Sequence, residues 1–419
     1  MTNVAVWYRN FRLLWLSQFI SIAGLTILVP LLPIYIASLE SLSVTEIQLW
    51  SGLAIAAPAI TTMISSPLWG KLGDKISRKW MVLRALLGLA ICLFLMSLCT
   101  TPLQFVVVRL LQGLFGGVVD ASNAFATSEA PDDMRGKVLG RLQSAISAGS
   151  LVGPLIGGIV AAMIGFQSLL LIIAIITFIV CMVGVKFLVE TSHQQRTKQQ
   201  TPVSCGVIQS FHCLLGTQAT CRFIIVGILA NLAMYGMMTA LAPLTAGVNT
   251  TLLDDKSAVG IVQSVFWTAS ILSAPLWGRL NDKNYVKQVY LLTALICGFS
   301  VVLQGLATNI WMLMIFRIVQ GLTYSALIQS VMYVVVKACH RDLKGTFVGS
   351  TNSMLVVGQV IGSMFGAVVT SSYNPSITFI VMGVIFIGSS LILLFSRVNE
   401  MSEYQISMKL WELNDRRAK

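Results

Sequence analysis

Residues 67–75 read PLWGKLGDK, and nearly the same nine residues return as PLWGRLNDK at 275–283. The two copies lie 208 positions apart, and the same offset carries RLLQGL at 109–114 onto RIVQGL at 317–322. Matches at one shared offset indicate an internal duplication whose unit is about 200 residues long. Because solenoid repeats are much shorter than this, the sequence predicts two paired domains.

A third match is a triplet of glycines spaced four residues apart. Its members are Gly149, Gly153 and Gly157 in the first half and, 209 positions later, Gly358, Gly362 and Gly366 in the second. This spacing puts each triplet on one helix face, where small residues let a second helix approach closely in lipid. Pro154 bends the first of these helices by removing a backbone donor, whereas Ser363 stands there in the second half.

The composition is that of a membrane protein. The chain is 56% hydrophobic and only 11% charged, with a mean hydropathy of +0.82, whereas soluble domains carry about 25% charged residues. Apolar runs of about 20 residues recur, and each is long enough to cross a bilayer as a helix. A membrane β-barrel would show short alternating segments instead. The sequence therefore predicts an all-α integral membrane protein.

Twelve apolar runs divide six and six between the two repeats. They lie near residues 11–37, 47–69, 80–99, 103–127, 138–163, 166–188, 220–247, 258–278, 288–306, 310–336, 346–371 and 375–396. We therefore expect an N-terminal six-helix bundle at 1–188, a central loop at 189–218, a C-terminal six-helix bundle at 219–397 and a tail at 398–419. The first run is too long for a cleavable signal peptide, so it should be retained.

The basic residues predict the orientation. Of the 28 lysines and arginines, only Lys256 falls on the odd-numbered connections, while Arg109 and Arg317 lie inside spans. The other 25 lie in the tails, on the even-numbered connections or at the adjoining helix ends. Because basic residues accumulate on the cytoplasmic side, both termini and the central loop should be cytoplasmic. The net charge of +12 then faces anionic lipid rather than nucleic acid.

Several other classes of function lack their sequence signals. Cys205, Cys213 and Cys221 recur every eight residues, a spacing much wider than in zinc sites. No glycine-rich phosphate loop precedes a lysine, so ATP is not the expected energy source. The three histidines all fall on the predicted cytoplasmic side, so no catalytic triad is available within the membrane. We expect neither an enzyme nor a cofactor nor a metal site.

Two motifs resemble signatures of the major facilitator superfamily. The sequence GKLGDKISRK at 70–79 resembles the loop signature between spans 2 and 3, with Ser77 where that signature has glycine. The sequence RLLQG at 109–113 resembles the fourth-span motif. The resemblance implies two pseudo-symmetric six-helix bundles, with the substrate bound near the midplane between them and access alternating as they rock.

Two further motifs point to exporters within that superfamily. The sequence GSLVGPLIGG at 149–158 resembles the fifth-span antiporter motif, and Gly24, Pro30 and Pro33 match the first-span motif of the twelve-span drug:proton antiporters. The resemblance is greatest to bacterial multidrug efflux proteins of the MdtG type. It implies proton-coupled export of amphipathic small molecules by a monomer in the lipid bilayer of a bacterial inner membrane. The alternatives are a dedicated exporter of one metabolite, such as a carboxylate siderophore, and a non-transporting sensor or scaffold.

Span 4 carries the candidate substrate and proton-coupling residues. Arg109, Gly113, Gly116, Asp120 and Asn123 fall on one stripe at about 100° per residue, and a charge facing lipid costs at least ~2.5–3.5 kcal/mol. The stripe should therefore face a wet cavity or a partner helix. The second half keeps the arginine as Arg317 but has Ile328 where Asp120 would map. The alternative for all three charges is a structural bond to neighbouring helices.

The resemblance also implies a charge cluster at the cytoplasmic ends of spans 2 to 4. Its members are Gly70, Asp74, Arg78 and Glu129, and we call them the cytoplasmic latch. By resemblance the latch holds the inner face in one conformational state. The alternative is a set of solvated loop charges, whose pairs contribute little.

The remaining candidates fall into two groups. Residues that the antiporter motif places on span 5 are Gly149, Gly153, Pro154, Gly157 and Gly158. Polar and aromatic residues within spans that can line a central cavity are Gln18, Tyr35, Asn231, Tyr235, Trp267, Tyr324, Asn352 and Gln359. Met234, Met237 and Met238 would suit a binding wall that adapts to varied ligands. Ordinary helix packing is the alternative for both groups.

Overall fold

The computed structural model describes residues 3–129, 135–190, 207–248, 254–283, 286–338 and 344–395. Over these residues the chain forms fourteen helices. In chain order they are α1 Asn3–Leu39, α2 Val44–Lys75, α3 Arg78–Ser97, α4 Pro102–Phe115, α5 Val118–Glu129, α6 Arg135–Ile164, α7 Phe166–Phe187, α8 Val207–Gly216, α9 Gln218–Gly247, α10 Asp255–Asp282, α11 Val286–Gly305, α12 Ile310–Ala338, α13 Lys344–Ser372 and α14 Pro375–Leu394.

Twelve segments within the described residues are long and apolar enough to cross a membrane. This confirms the twelve predicted spans and the all-α fold. Helices α4 and α5 together make the fourth span, Pro102–Ala126. The remaining helix, α8, is only 10 residues long and is too short to span.

Helix ends follow local sequence signals. Ser43 begins α2 with a capping box, because its hydroxyl accepts from the Glu46 backbone while the Glu46 carboxylate accepts from the Ser43 backbone. Thr101 and Gln104 begin α4 in the same way, with Pro102 in the first turn. Asn374 caps α14, whose first residue is again a proline.

The residue contacts divide the chain into two units. The first contains 1–199 and 241–267, and the second contains 200–240 and 268–419. The division falls inside α9 and α10, because the beginning of α10 packs against α6 in the first unit. The bundle boundaries at 188 and 219 therefore remain a prediction from the duplication.

The core of the first unit lies where α1, α3, α5, α6 and α7 meet. Leu14, Val82, Phe125, Leu142 and Cys181 all belong to this cluster and are at most 1% exposed. The cluster holds the broken fourth span against α1 and α3, and so positions the candidate site.

The second unit has a core cluster that corrects one expectation. Part of the predicted central loop is helical, since α8 buries Cys213 and Leu214 against Phe347 and other residues. The Ser210 hydroxyl also lies 2.6 Å from that of Ser350 in α13. The polar character of 189–218 concealed a short apolar face that covers this unit's core.

Candidate functional site

The fourth span is broken between α4 and α5. Gly116 and Gly117 separate the two helices, and Gly117 has a positive φ of 96°, a conformation that glycine adopts without steric penalty. The predicted stripe therefore does not run along one continuous helix, because Asp120 and Asn123 belong to a second helix, α5. A span interrupted in this way exposes backbone groups at membrane depth, which must find partners.

Side chains from α2 and α3 bind the carbonyls at the end of α4. Trp69 Nε1 donates to Leu114 O at 2.7 Å, and Arg84 donates through Nη1 to Phe115 O at 3.3 Å and through Nη2 to Gly116 O at 3.0 Å. The Arg84 guanidinium also lies over the Trp69 ring, 3.6 Å from its centre. The sequence alone places Arg84 among the basic residues at the cytoplasmic helix ends and does not reveal this role.

The second repeat keeps the tryptophan but not the break. Trp277 Nε1 donates to Leu322 O at 2.6 Å, which repeats the Trp69 bond 208 positions later. Helix α12 nevertheless runs unbroken from Ile310 to Ala338, and Leu292 stands where Arg84 would map. The break is therefore a feature of the first repeat alone.

Arg109 and Arg317 occupy matching buried positions. Arg109 is 3% exposed and donates to Ala54 O at 2.9 Å and to Gln112 Oε1 at 2.6 Å. Arg317 is fully buried and donates to Gln320 Oε1 at 2.8 Å. Each guanidinium binds within its own unit. The contacts agree with the structural alternative, and a direct role in transport remains a prediction.

Asp120 lies in the first turn of α5 with an exposed side chain. A carboxylate there is stabilised by the positive end of the helix dipole. Gln18 of α1 reaches the same turn, because its Nε2 donates to Asn123 Oδ1 at 3.1 Å and to Val119 O at 3.3 Å. Gln18 Oε1 has no hydrogen-bond partner among the described residues. The structure thus brings two predicted candidates, Gln18 and Asn123, to the helix turn that carries Asp120.

Two cavity candidates of the second unit bind each other. The Tyr324 hydroxyl donates to Asn231 Oδ1 at 3.2 Å, and Asn231 Nδ2 donates to Leu355 O at 3.3 Å. Tyr235 and Gln359 are half-buried, and Asn352 is exposed. These five residues remain candidates, and two of them, Tyr324 and Asn231, are joined by a hydrogen bond.

The predicted methionine wall lies in the core. Met234, Met237 and Met238 are at most 5% exposed. Met237 Sδ accepts from Gln320 Nε2 at 3.2 Å, so this sulfur supports the buried Arg317–Gln320 pair. In this conformation these side chains are packed and cannot contact a ligand.

Two aromatic candidates of the first unit also have structural neighbours. Tyr35 is 1% exposed, stacks on Phe166 with ring centres 4.4 Å apart and donates its hydroxyl to Met96 O at 2.9 Å. It touches a cavity of about 320 Å³ beside the turn between α6 and α7, away from the fourth-span break. Trp267 is half-buried and packs edge-on against Phe266.

The latch residues lie where α2, α3 and α5 end or begin. The side chain of Arg78 donates to Ala124 O in α5, the helix that Glu129 ends. Gly70 and Asp74 belong to α2, and the surroundings of both residues lie outside what the structure describes. The contact joins α3 to the fourth span, and the proposed gating role remains a prediction.

One acidic residue at this face was missed by sequence reasoning. The Glu190 carboxylate accepts from the Ser77 hydroxyl and from the backbone nitrogens of Arg78 at 3.1 Å and Lys79 at 3.2 Å. The sequence alone places it in the polar central loop at 189–218. The signal that could have found it is Ser77, the one departure from the family's loop signature.

The glycine ridges of the two repeats make equivalent contacts. A Cβ added at Gly153 would lie 2.4 Å from Thr26 Oγ1 and 2.6 Å from Ala23 O. One added at Gly362 would lie 2.2 Å from Leu232 O. Thus α6 packs on α1 and α13 packs on α9, with Ala23 and Leu232 related by the same offset of 209. Helix packing accounts for both ridges.

Gly158 and Pro154 of the antiporter motif face a different helix. A Cβ at Gly158 would lie 2.6 Å from Lys256 O, and one at Gly260 would lie 2.3 Å from Pro154 O. Ser264 Oγ donates to Leu151 O at 3.0 Å along the same contact. The beginning of α10 therefore lies backbone to backbone against α6 within the first unit.

Twelve apolar segments among the described residues of this duplicated chain define a multi-spanning membrane protein. The family model of the Major Facilitator Superfamily matches residues 14–254 and again 223–410. The chain belongs to this superfamily, whose members move small molecules across membranes. This confirms the resemblance of the loop and span motifs and the expectation that the chain is not an enzyme.

Two relatives and one solved structure are informative. The chain is 69% identical to the "Staphyloferrin B transporter" of Staphylococcus aureus over 420 residues, covering 100% of both proteins. It is 28% identical to the multidrug resistance protein MdtG of Proteus mirabilis, covering 88% of this chain and 90% of the relative. A bacterial homologue of the human lysosomal transporter Spinster has the same fold, with a TM-score of 0.76, 14% identity and coverage of 98% and 97%.

Proposed function

We propose that this chain exports a carboxylate siderophore by alternating access. The observation that carries the proposal is the full-length identity of 69% to a protein named for staphyloferrin B transport. The identity to multidrug resistance proteins is only 28%. This reverses the order expected from the motifs, which favoured multidrug efflux over a dedicated exporter.

The charges within the spans support an anionic substrate. Among the described residues, the charged side chains that are buried are Arg109 in the first unit and Arg317 in the second. The arginines bind backbone or glutamine oxygens, yet their charge still acts over distance in a medium of low dielectric constant. An excess of positive charge suits a polycarboxylate better than a lipophilic cation.

Proton coupling is assigned to Asp120. It is a carboxylate on a helix turn next to a broken span, and discontinuous spans form the ion and substrate sites of many transporters. Protonation from outside and release to the cytoplasm would drive substrate outward. The antiporter motif at 149–158 supports the outward direction.

We place the protein in a bacterial inner membrane as a monomer with both termini in the cytoplasm, following the positive-inside rule. In a chain whose eight native cysteines are replaced, a cysteine introduced by Ser204→Cys should react with an impermeant thiol reagent only in everted vesicles. One introduced by Asn249→Cys should react only in intact cells. The opposite pattern would reverse the orientation.

Siderophore secretion tests the function directly. In a staphyloferrin B producer whose transporter gene is deleted, expression of this chain should restore the extracellular siderophore and lower the intracellular amount, as measured by mass spectrometry. Drug susceptibility of the same strains tests multidrug efflux in parallel. Restored drug resistance without restored secretion would favour the multidrug alternative. Restoration of neither by a correctly inserted protein would favour a non-transporting role.

A further inference from the structure

We propose that Glu190 is a positioning residue of the cytoplasmic latch, and that it fixes the signature loop by binding the N-terminus of α3. This inference rests on the proposed transport function for its mechanistic meaning, but the contact can be tested without any substrate. Glu190 follows α7 and begins the connection between the two repeats.

The Glu190 carboxylate collects three donors from consecutive residues. Oε2 accepts from the Ser77 hydroxyl and from Lys79 N at 3.2 Å, and Oε1 accepts from Arg78 N at 3.1 Å. The first backbone N–H groups of a helix have no partner within the helix. A carboxylate there satisfies them and meets the positive end of the helix dipole. Glu190 thus caps α3 from a distant part of the chain.

Ser77 joins this cap to the helix. It is the N-cap residue of α3, with an extended φ of −171°, and its Oγ accepts from Trp80 N at 3.4 Å. The same hydroxyl donates a hydrogen bond to the Glu190 carboxylate. Because the backbone is extended at this position, the turn does not require the glycine of the family signature. Serine instead provides a hydroxyl that glycine lacks, and Glu190 is its partner.

The segment that carries Glu190 is itself held on its other side. Asn10 Nδ2 donates to Val189 O at 2.6 Å, and Val189 N donates to Asn10 Oδ1 at 3.1 Å. Asn10 is 2% exposed in α1. Lys79 Nζ also donates to Val185 O at 3.0 Å. The end of α7 is therefore tied both to α1 and to α3, and it transmits the position of one to the other.

The residue fixed by this cap is a member of the latch. Arg78 gives its backbone N–H to Glu190 while its guanidinium donates to Ala124 O in α5. A shift of the α3 N-terminus would move Arg78 away from the fourth span. Glu190 therefore acts through Arg78 by setting where its side chain starts, and not by touching the substrate.

The second repeat does not preserve this arrangement. At the positions 208 residues beyond Ser77 and Arg78 stand Tyr285 and Val286. Neither side chain can provide the hydroxyl of an N-cap serine or the guanidinium of a latch arginine. The serine and the arginine of this cap therefore occur at these positions in the first repeat only.

The test is the accessibility of the loop to a thiol reagent. In full-length protein in everted vesicles, with the eight native cysteines replaced, Ile76→Cys places a thiol at a position 49% exposed and next to Ser77. We expect Glu190→Ala to raise the labelling rate about tenfold, the scale of a lost charge-assisted hydrogen bond. Ser77→Asp, which keeps a capping oxygen but opposes two carboxylates, should do the same. Combining it with Glu190→Gln, whose amide can donate, should restore a rate within about twofold of the parent.

The matched control is Glu46→Ala, because Glu46 also caps a helix N-terminus but does so on α2. It should leave labelling at Ile76→Cys unchanged. If Ser77→Asp fails to insert, Ser77→Gly replaces it, since glycine is the family's own residue. Its increase should not add to that of Glu190→Ala.

Transport kinetics distinguish a positioning role from a merely structural cap, because a merely structural cap would leave Vmax of the inserted protein unchanged. Glu190→Ala should lower Vmax about tenfold while KM changes less than about twofold, since the residue biases a conformational equilibrium without contacting substrate. Unchanged labelling, an equal rise with Glu46→Ala, or no rescue in the double variant would each overturn the proposal. If the parent carries no siderophore, the proposed function fails, whereas the labelling series still decides the contact.

Discussion

The Arg84 guanidinium lies 3.6 Å from the centre of the Trp69 ring, and both side chains bind carbonyls that the break in span 4 leaves open. Cation–π stacking of this kind is strongest where water is excluded. An arginine six residues into a span is costly in lipid unless its donors are used. Here its donors bind the carbonyls at the end of α4, next to the break that precedes α5 and Asp120.

Removal of Arg84 should destabilise the first unit. Arg84→Gln leaves Phe115 O and Gly116 O without their partner, at a cost of about 1–3 kcal/mol, and should lower the melting temperature measured by thermal size-exclusion chromatography in detergent. Arg84→Lys should recover only part of this, because an ammonium lacks the planar fork and the stacking surface. An unchanged melting temperature for Arg84→Gln would contradict the role given to this contact.

The break itself should depend on glycine at 117. Gly117→Ala forces a β-carbon into a positive-φ conformation, which costs about 1–2 kcal/mol. Gly140→Ala in α6 is the control, since an added methyl meets nothing within 4 Å there and should stabilise by about 0.4–1 kcal/mol. Melting temperatures that shift in the same direction for both variants would argue against a strained turn.

The contact between α6 and α1 should not tolerate a methyl group. Gly153→Ala places Cβ within 2.6 Å of the Ala23 carbonyl, and overpacking of this kind costs about 1–3 kcal/mol. Gly349→Ala in α13 has open space and serves as its control. The yield of monodisperse protein and its melting temperature should fall for the first variant alone. Equal behaviour of both would mean that the ridge is not tightly packed.

Asp120→Asn should separate coupling from binding. Without a titratable group, transport driven by a pH gradient should fall at least tenfold, while substrate counterflow, which needs no net proton movement, should persist. Glu40→Gln, an exposed carboxylate just beyond the end of α1, should leave both unchanged. Normal gradient-driven transport by Asp120→Asn would remove the proposed role of this residue.

The fold could be predicted because hydropathy and duplication are encoded over long stretches. The repeat of 67–75 at 275–283 and the twelve apolar runs require no tertiary information, and the structure agrees with them. The break at Gly116 and Gly117 could not be predicted in this way. Its residues are as apolar as a continuous span, and only the positive φ distinguishes them.

The site was harder to predict because its residues act through distant partners. In the sequence Arg84 is one more basic residue near a cytoplasmic helix end. Its partners, Trp69 and the carbonyls that end α4, are visible only in the structure. In the sequence Glu190 is a loop charge, and its contact with Ser77, 113 residues earlier in the chain, is visible only in the structure. The stacking of Tyr35 on Phe166 joins residues 131 positions apart in the chain, so no local pattern reveals it. Local patterns identify such residue types but not their contacts.

Uptake of staphyloferrin B by everted membrane vesicles from cells that express this chain tests the central claim most directly. With an acid interior, the vesicles should accumulate the siderophore and lose it when the pH gradient is collapsed. They should accumulate lipophilic cations no better than vesicles from cells that lack this chain. The account would be contradicted if the vesicles accumulated the cations but took up the siderophore no faster than vesicles from cells that lack this chain.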